Sequence, residues 1–108
     1  MDIAPLNPAA HRLATIDVGT NTVLLLIADI WPDGNVTTVY EEQRFARLGE
    51  GVDASRTLLP AAMKRVRDAL LAYKSIGDVF GVQAIRVGGT SACRDALNQT
   101  AFQDYLFK

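Results

Sequence analysis

At 108 residues, 49% of them hydrophobic and 21% charged, the chain has the balance of one ordinary globular domain and is too short for two lobes closing on a substrate. A net charge of −1 removes the basic footprint that duplex nucleic acid or an anionic membrane asks of a partner. With one cysteine, Cys93, and one histidine, His11, the chain excludes an internal disulfide framework, a zinc cluster and a Ser/His/Asp triad.

Residues 1–11 carry Pro5, Asn7 and Pro8 without periodicity and read as a loose arm. The arm has no apolar core of a secretion signal, and the longest apolar run, 23–28, falls far short of the roughly 20 residues that span a bilayer. A cytoplasmic protein is therefore expected. Residues 13–17 and 22–30 are two β-prone runs separated by a few polar residues, which pair most simply as a hairpin. Pro32, Asp33, Gly34 and Asn35 form a turn signature, after which 36–40 continues as a third strand. Residues 47–57 turn polar and glycine-bearing and predict a loop. Leu59, Met63, Val66, Leu70 and Tyr73 then recur at helical spacing, with Pro60 suited to the first turn and Gly77 to the end. A fourth strand is expected over 83–87, a tight turn at Gly88 and Gly89, and a helix from Ser91 to Leu97. Thr100 and Gln103 match a capping box for a final helical piece bearing Phe102, Tyr105 and Leu106 on one side. A strand reached through a helix lies parallel in the same sheet, so the expected fold is a mixed α/β sheet whose last edge awaits a further strand.

Two segments carry possible chemistry. At the first turn, Asp17 closes a strand and Gly19, Thr20, Asn21 and Thr22 follow. A carboxylate there can hold a magnesium ion through water, and glycine lets backbone amides come close to a phosphate. The same residue types also suit a plain hairpin turn. At the second, Gly89, Thr90 and Ser91 lead from a strand into a helix, whose free amides and dipole attract an anion. Arg94 in its first turn can clamp phosphate oxygens or pair with Asp95.

Taken jointly, Asp17 to Val23, the Arg47, Leu48, Gly49, Glu50, Gly51 and Val52 loop, and Thr90 to Asn98 resemble the N-terminal part of the exopolyphosphatase and guanosine pentaphosphatase (Ppx/GppA) family over about residues 12–104. That family groups with actin, sugar kinases and chaperone ATPases, whose two ribonuclease H-like lobes grip phosphates between them. The resemblance implies that residues 12–108 are the first such lobe, incomplete, with three antiparallel strands and parallel additions. It implies that Asp17 and Arg94 are catalytic, with Asp17 also the ligand of Mg2+, and that Gly19, Thr20, Asn21, Thr90 and Ser91 bind phosphate. The implied substrates are inorganic polyphosphate or guanosine pentaphosphate. The activating glutamate and a second phosphate loop would lie beyond Lys108, so the piece alone is expected to be inert. Two positions depart from the family pattern: Leu59 replaces a Ser or Thr helix cap, and Leu24 is apolar just past the first loop.

Other readings are a kinase or ATPase lobe of the same superfamily, and a non-catalytic module whose open sheet edge pairs with another copy into a homo-oligomer. Gly49, Gly51 and Ala54 lack the strand and helix that a dinucleotide fingerprint needs. Asn35 and Asn98 stand in glycosylation sequons that mean little without secretion. Cys93 is expected to pack. Arg44, Lys64, Arg65 and Arg67 are expected on solvated faces, and Arg47 is either solvated or a polyanion contact.

Overall fold

Strict alternation along the first strand decides which way the sheet faces. In this computed structural model, which describes residues 9–51 and 57–89, strand β1 (His11–Val18) buries Arg12, Ala14, Ile16 and Val18 and turns Thr15 and Asp17 to the other side. Strand β2 (Thr22–Ile30) runs antiparallel to β1 with Val18 opposite Val23 and Asp17 opposite Leu24, so Val23, Leu25 and Ile27 point inward with them. Strand β3 (Val36–Phe45) returns antiparallel to β2, with a bulge where Ile27 and Ala28 face it. Between β2 and β3, Gly34 takes a left-handed φ of 89° and donates to the Trp31 carbonyl at 2.9 Å. Helix α1 (Pro60–Phe80) follows, then strand β4 (Ala84–Gly89), which pairs parallel with β1. The sheet order is β3-β2-β1-β4. This is the expected mixed sheet of an antiparallel trio with one parallel addition.

Helix α1 lies across β1 and β2 and covers the inward face. Its buried side is Ala62, Val66, Ala69, Tyr73, Gly77 and Phe80. Met63 and Leu70 of the expected stripe sit at its margin, half-buried, because small alanines allow the helix to approach the sheet along the neighbouring line. Leu59 is the N-cap with no side-chain bond to the first turn, and Pro60 opens the helix, as the sequence suggests. Four expectations need correcting. The helix does not end at Gly77, which is buried against Val82 and Ile85; it ends at Gly81, whose φ of 74° closes a left-handed cap. Gly88 and Gly89 are not a turn but the last rungs of β4, beside Asp17 and Val18. Strand β3 runs five residues past Tyr40, through a polar stretch, because its inward side there is an ionic network and not an apolar one. In that network Tyr40 donates to Glu42 at 2.7 Å, Arg44 donates to the same carboxylate at 2.7 Å, and the Arg44 guanidinium lies over the Tyr73 ring. Arg65 is no simple solvated cation either, as described below.

The largest surprise in the interior is Arg12. It is fully buried and forms a two-pronged pair with Asp29, Nε to Oδ1 at 2.8 Å and Nη2 to Oδ2 at 3.0 Å. Its Nη1 donates to the Phe80 carbonyl at 3.1 Å, and its own carbonyl accepts from the Gln83 amide at 2.8 Å. Among the described residues no helix is long and apolar enough to cross a membrane. The helices expected after Ser91 and Thr100 fall outside the described residues.

Candidate functional site

The tip joining β1 to β2 is built by one glycine and two borrowed hydrogen bonds. After Val18 the Gly19 amide donates to the Thr22 carbonyl at 2.7 Å and closes the turn. A methyl group on Gly19 would stand 2.9 Å from that carbonyl oxygen, so the tight closure requires glycine. The next two carbonyls are held from outside: the Gly49 amide donates to Thr20 at 2.9 Å, and the Arg47 amide donates to Asn21 at 3.0 Å. A Cβ at Gly49 would overlap the Thr20 methyl, so a larger residue there requires the Thr20 side chain to move. Arg47 itself adopts a left-handed φ of 51°, which bends the 46–50 segment back over the tip. A trans peptide is planar, so fixing the Thr20 carbonyl toward Gly49 turns the Asn21 amide to the opposite side. The amides of Thr20 and Asn21 have no acceptor among the described residues. Both residues are exposed. The tip thus carries two exposed, consecutive N–H donors with no acceptor among the described residues, a feature that suits an oxyanion.

Asp17 stands immediately before this tip. Its exposed carboxyl, with Thr15, Leu24, Leu26, Glu41 and Gln43, lines an open groove of about 440 Å³ on the sheet face away from α1. On its other flank lies Gly88, with open space where a Cβ would stand. A magnesium ion, which keeps waters and takes one or two carboxylates plus substrate phosphates, suits the exposed Asp17 carboxylate on a groove that Glu41 also lines. An all-protein metal cage does not fit: among the described residues no group of three His, Cys, Asp or Glu side chains converges.

Of the residues singled out from sequence, the structure brings Asp17, Gly19, Thr20 and Asn21 together at one end of the sheet. Thr90, Ser91 and Arg94 lie outside the described residues, as does Cys93. The parallel register nevertheless delivers β4 to the same end, with Gly89 beside Val18. Leu24, the apolar departure, is partly exposed on the groove floor.

Sequence reasoning missed the support behind the tip. Arg65, in the second turn of α1, donates from Nε to the Ala46 carbonyl at 2.7 Å. Its Nη2 lies 3.4 Å from both the Arg47 carbonyl and the Glu50 carboxylate. The available signal was positional: Arg65 adjoins Val66 on the edge of the buried stripe, where a solvated cation has no reason to sit.

Comparison with known proteins bears on the family and the fold. Residues 26–106 match the model of the Ppx/GppA phosphatase family. The chain is 40% identical over 97 residues to exopolyphosphatase 2 of Mycobacterium tuberculosis, covering 87% of this chain and 30% of that protein. It is 34% identical over 90 residues to the guanosine-5'-triphosphate,3'-diphosphate pyrophosphatase of Vibrio parahaemolyticus, covering 82% of this chain and 18% of the other. The crystal structure of the Aquifex aeolicus member of the Ppx/GppA family superposes with a TM-score of 0.84 at 31% identity, over 90% of this chain and 31% of that one. The chain therefore spans under a third of the length of these relatives.

Proposed function

This chain belongs to the Ppx/GppA phosphatase family, and we propose that it forms the first phosphate-binding lobe of a magnesium-dependent hydrolase that removes the terminal phosphate of inorganic polyphosphate or guanosine pentaphosphate. The observation that supports this reading is the tip itself, where two exposed amides in the turn that follows Asp17 have no acceptor among the described residues. Each substrate presents a row of phosphates, and both names among the relatives denote enzymes acting on such rows.

In this mechanism the amides of Thr20 and Asn21 bind oxygens of the terminal phosphoryl group and stabilise charge as it builds there. Gly19 lets the phosphate come close enough for both. Asp17 would hold the magnesium ion, which when bound neutralises phosphate oxygens and lines them up for in-line attack. Arg94, with Thr90 and Ser91, would clamp the same group from the chain that leaves β4 at Gly89. None of the described residues is assigned the role of activating water, and residues 1–108 alone are expected to be inert. A cytoplasmic location suits the proposed substrates.

The test is phosphate release by the full-length protein from polyphosphate and from guanosine pentaphosphate, with magnesium. Asp17→Asn should lower turnover by about 100-fold or more while circular dichroism and melting stay as in the parent, because Asp17 is exposed and holds nothing in the core. Unchanged turnover would remove Asp17 from the site. Phosphoryl transfer from ATP to an acceptor, with no hydrolysis of either substrate, would replace the hydrolase by a kinase.

A further inference from the structure

We propose that Arg65 is a positioning residue of the phosphate tip, acting through the 46–50 segment and touching no substrate itself. The proposal rests on the reading of residues 19–21 as a phosphate loop. Its physical basis is a short chain of contacts. The tip's two outward carbonyls are fixed by the amides of Arg47 and Gly49. Those amides are correctly aimed only while the 46–50 segment keeps its left-handed bend at Arg47, a conformation that L side chains disfavour.

Something must hold that bend. Ala46 and Leu48 anchor it inward, being 2% and 0% exposed. The Glu50 amide closes it onto the Arg47 carbonyl at 3.0 Å. Arg65 grips the segment at its base through the Ala46 carbonyl, the shortest of its bonds at 2.7 Å, while Nη2 reaches toward the Arg47 carbonyl and Glu50. A guanidinium is suited to this because its fork of donors is rigid and serves neighbouring acceptors at once. Since Arg65 is rooted in a helix of 21 residues that packs on β1 and β2, it ties the bend to the most rigid part of the lobe. Removing it leaves the strained bend free to relax, and the Thr20 and Asn21 peptide planes turn with it. Misaimed amides hold the phosphate less well from the moment it binds, a loss read as a raised KM.

The experiment compares Arg65→Met and Arg65→Lys with the parent in the full-length protein. Two readouts are taken: steady-state phosphate release from polyphosphate, split into kcat and KM, and amide hydrogen exchange at residue resolution. The expected result is a KM raised about tenfold in Arg65→Met, with a smaller rise in Arg65→Lys, which keeps one donor for Ala46. The amides of Arg47 and Gly49 should exchange faster in the same order, while those of β1 and α1 keep the parent's protection. A purely structural role predicts otherwise: kcat falls with the folded fraction, KM stays, and protection is lost everywhere. Parent-like protection of Arg47 and Gly49, or an unchanged KM, overturns the proposal. Arg65→Lys serves as the variant of record if Arg65→Met does not fold. Should the parent release no phosphate from either substrate, the functional reading fails, and the exchange data still decide whether Arg65 governs the tip.

Discussion

Gly49 and Tyr73 show how much one side chain, or the lack of one, settles in this lobe. A single methyl at position 49 collides with Thr20, so Gly49→Ala should displace the tip and lower activity by about tenfold, read as phosphate release by the full-length protein. Tyr73, wholly buried on α1, donates its hydroxyl to the Val23 carbonyl at 2.7 Å and lies 3.3 Å from that of Glu42, joining the helix to β2 and β3. Burial first, and the nearby Glu42 carboxylate second, push its pKa up to about 12 from an ordinary 10.0. Because the folded value is the higher one, the stabilisation is complete below pH 10 and is lost as pH climbs toward 12. Ultraviolet titration should therefore show one tyrosine ionising near pH 12 that is absent from Tyr73→Phe. A Tyr73 that titrates near 10 would contradict the sealed position.

At the scale of elements, α1 is fixed by its two ends in different ways. Its start has proline and no side-chain cap, while its end depends on Gly81, which has a left-handed φ and empty space around it. Gly81→Ala meets no clash, so its penalty is conformational only, about 1 kcal/mol, measurable as a lower midpoint in urea with an unchanged slope. The sequence misled about this end because Gly77 also looks like a stop; only packing against Val82 and Ile85 shows that it is small to let β4 in close. The antiparallel trio and its turns were legible, since the β-prone runs at 13–17 and 22–30 and the turn at Gly34 are local signals. The end of β3 was not, because Glu42 and Arg44 face inward yet are charged, and their mutual pairing is a matter of three dimensions. The same holds at the site. Asp17, Gly19, Thr20 and Asn21 announce themselves within one turn, whereas the bonds from Arg47 to Asn21 and from Gly49 to Thr20 join residues far apart in the chain, and that from Arg65 reaches Ala46 from 19 positions away, so they leave no pattern in the sequence. Arg12 and Asp29 did leave one: each is a charge on the inward parity of an apolar strand, opposite in sign and directly paired.

For the molecule as a whole, that pair sets the response to acid. The hydrogen bond from Arg12 holds the Asp29 carboxyl below its ordinary 3.8, against the opposing effect of burial, and Arg44 and Tyr40 lower Glu42 in the same direction. A depressed folded pKa contributes stability that is present above the unfolded value and lost as pH falls through the folded one, so the lobe should weaken below about pH 4. Removing one partner leaves an uncompensated buried charge, and Asp29→Asn should cost about 3–5 kcal/mol in denaturant titration at pH 7 and flatten the acid limb of stability. A loss under 1 kcal/mol would show that the pair is replaceable. The site of this bond also matters mechanically. Arg12 ties β1 to β2 through Asp29, to the last carbonyl of α1 and, by its main chain, to the approach to β4, all at the pole opposite Gly19. Such a body is clamped at its heel, and its elastic give is expected to gather at the toe, where among the described residues main-chain bonds, the buried Ala46 and Leu48 and one guanidinium resist.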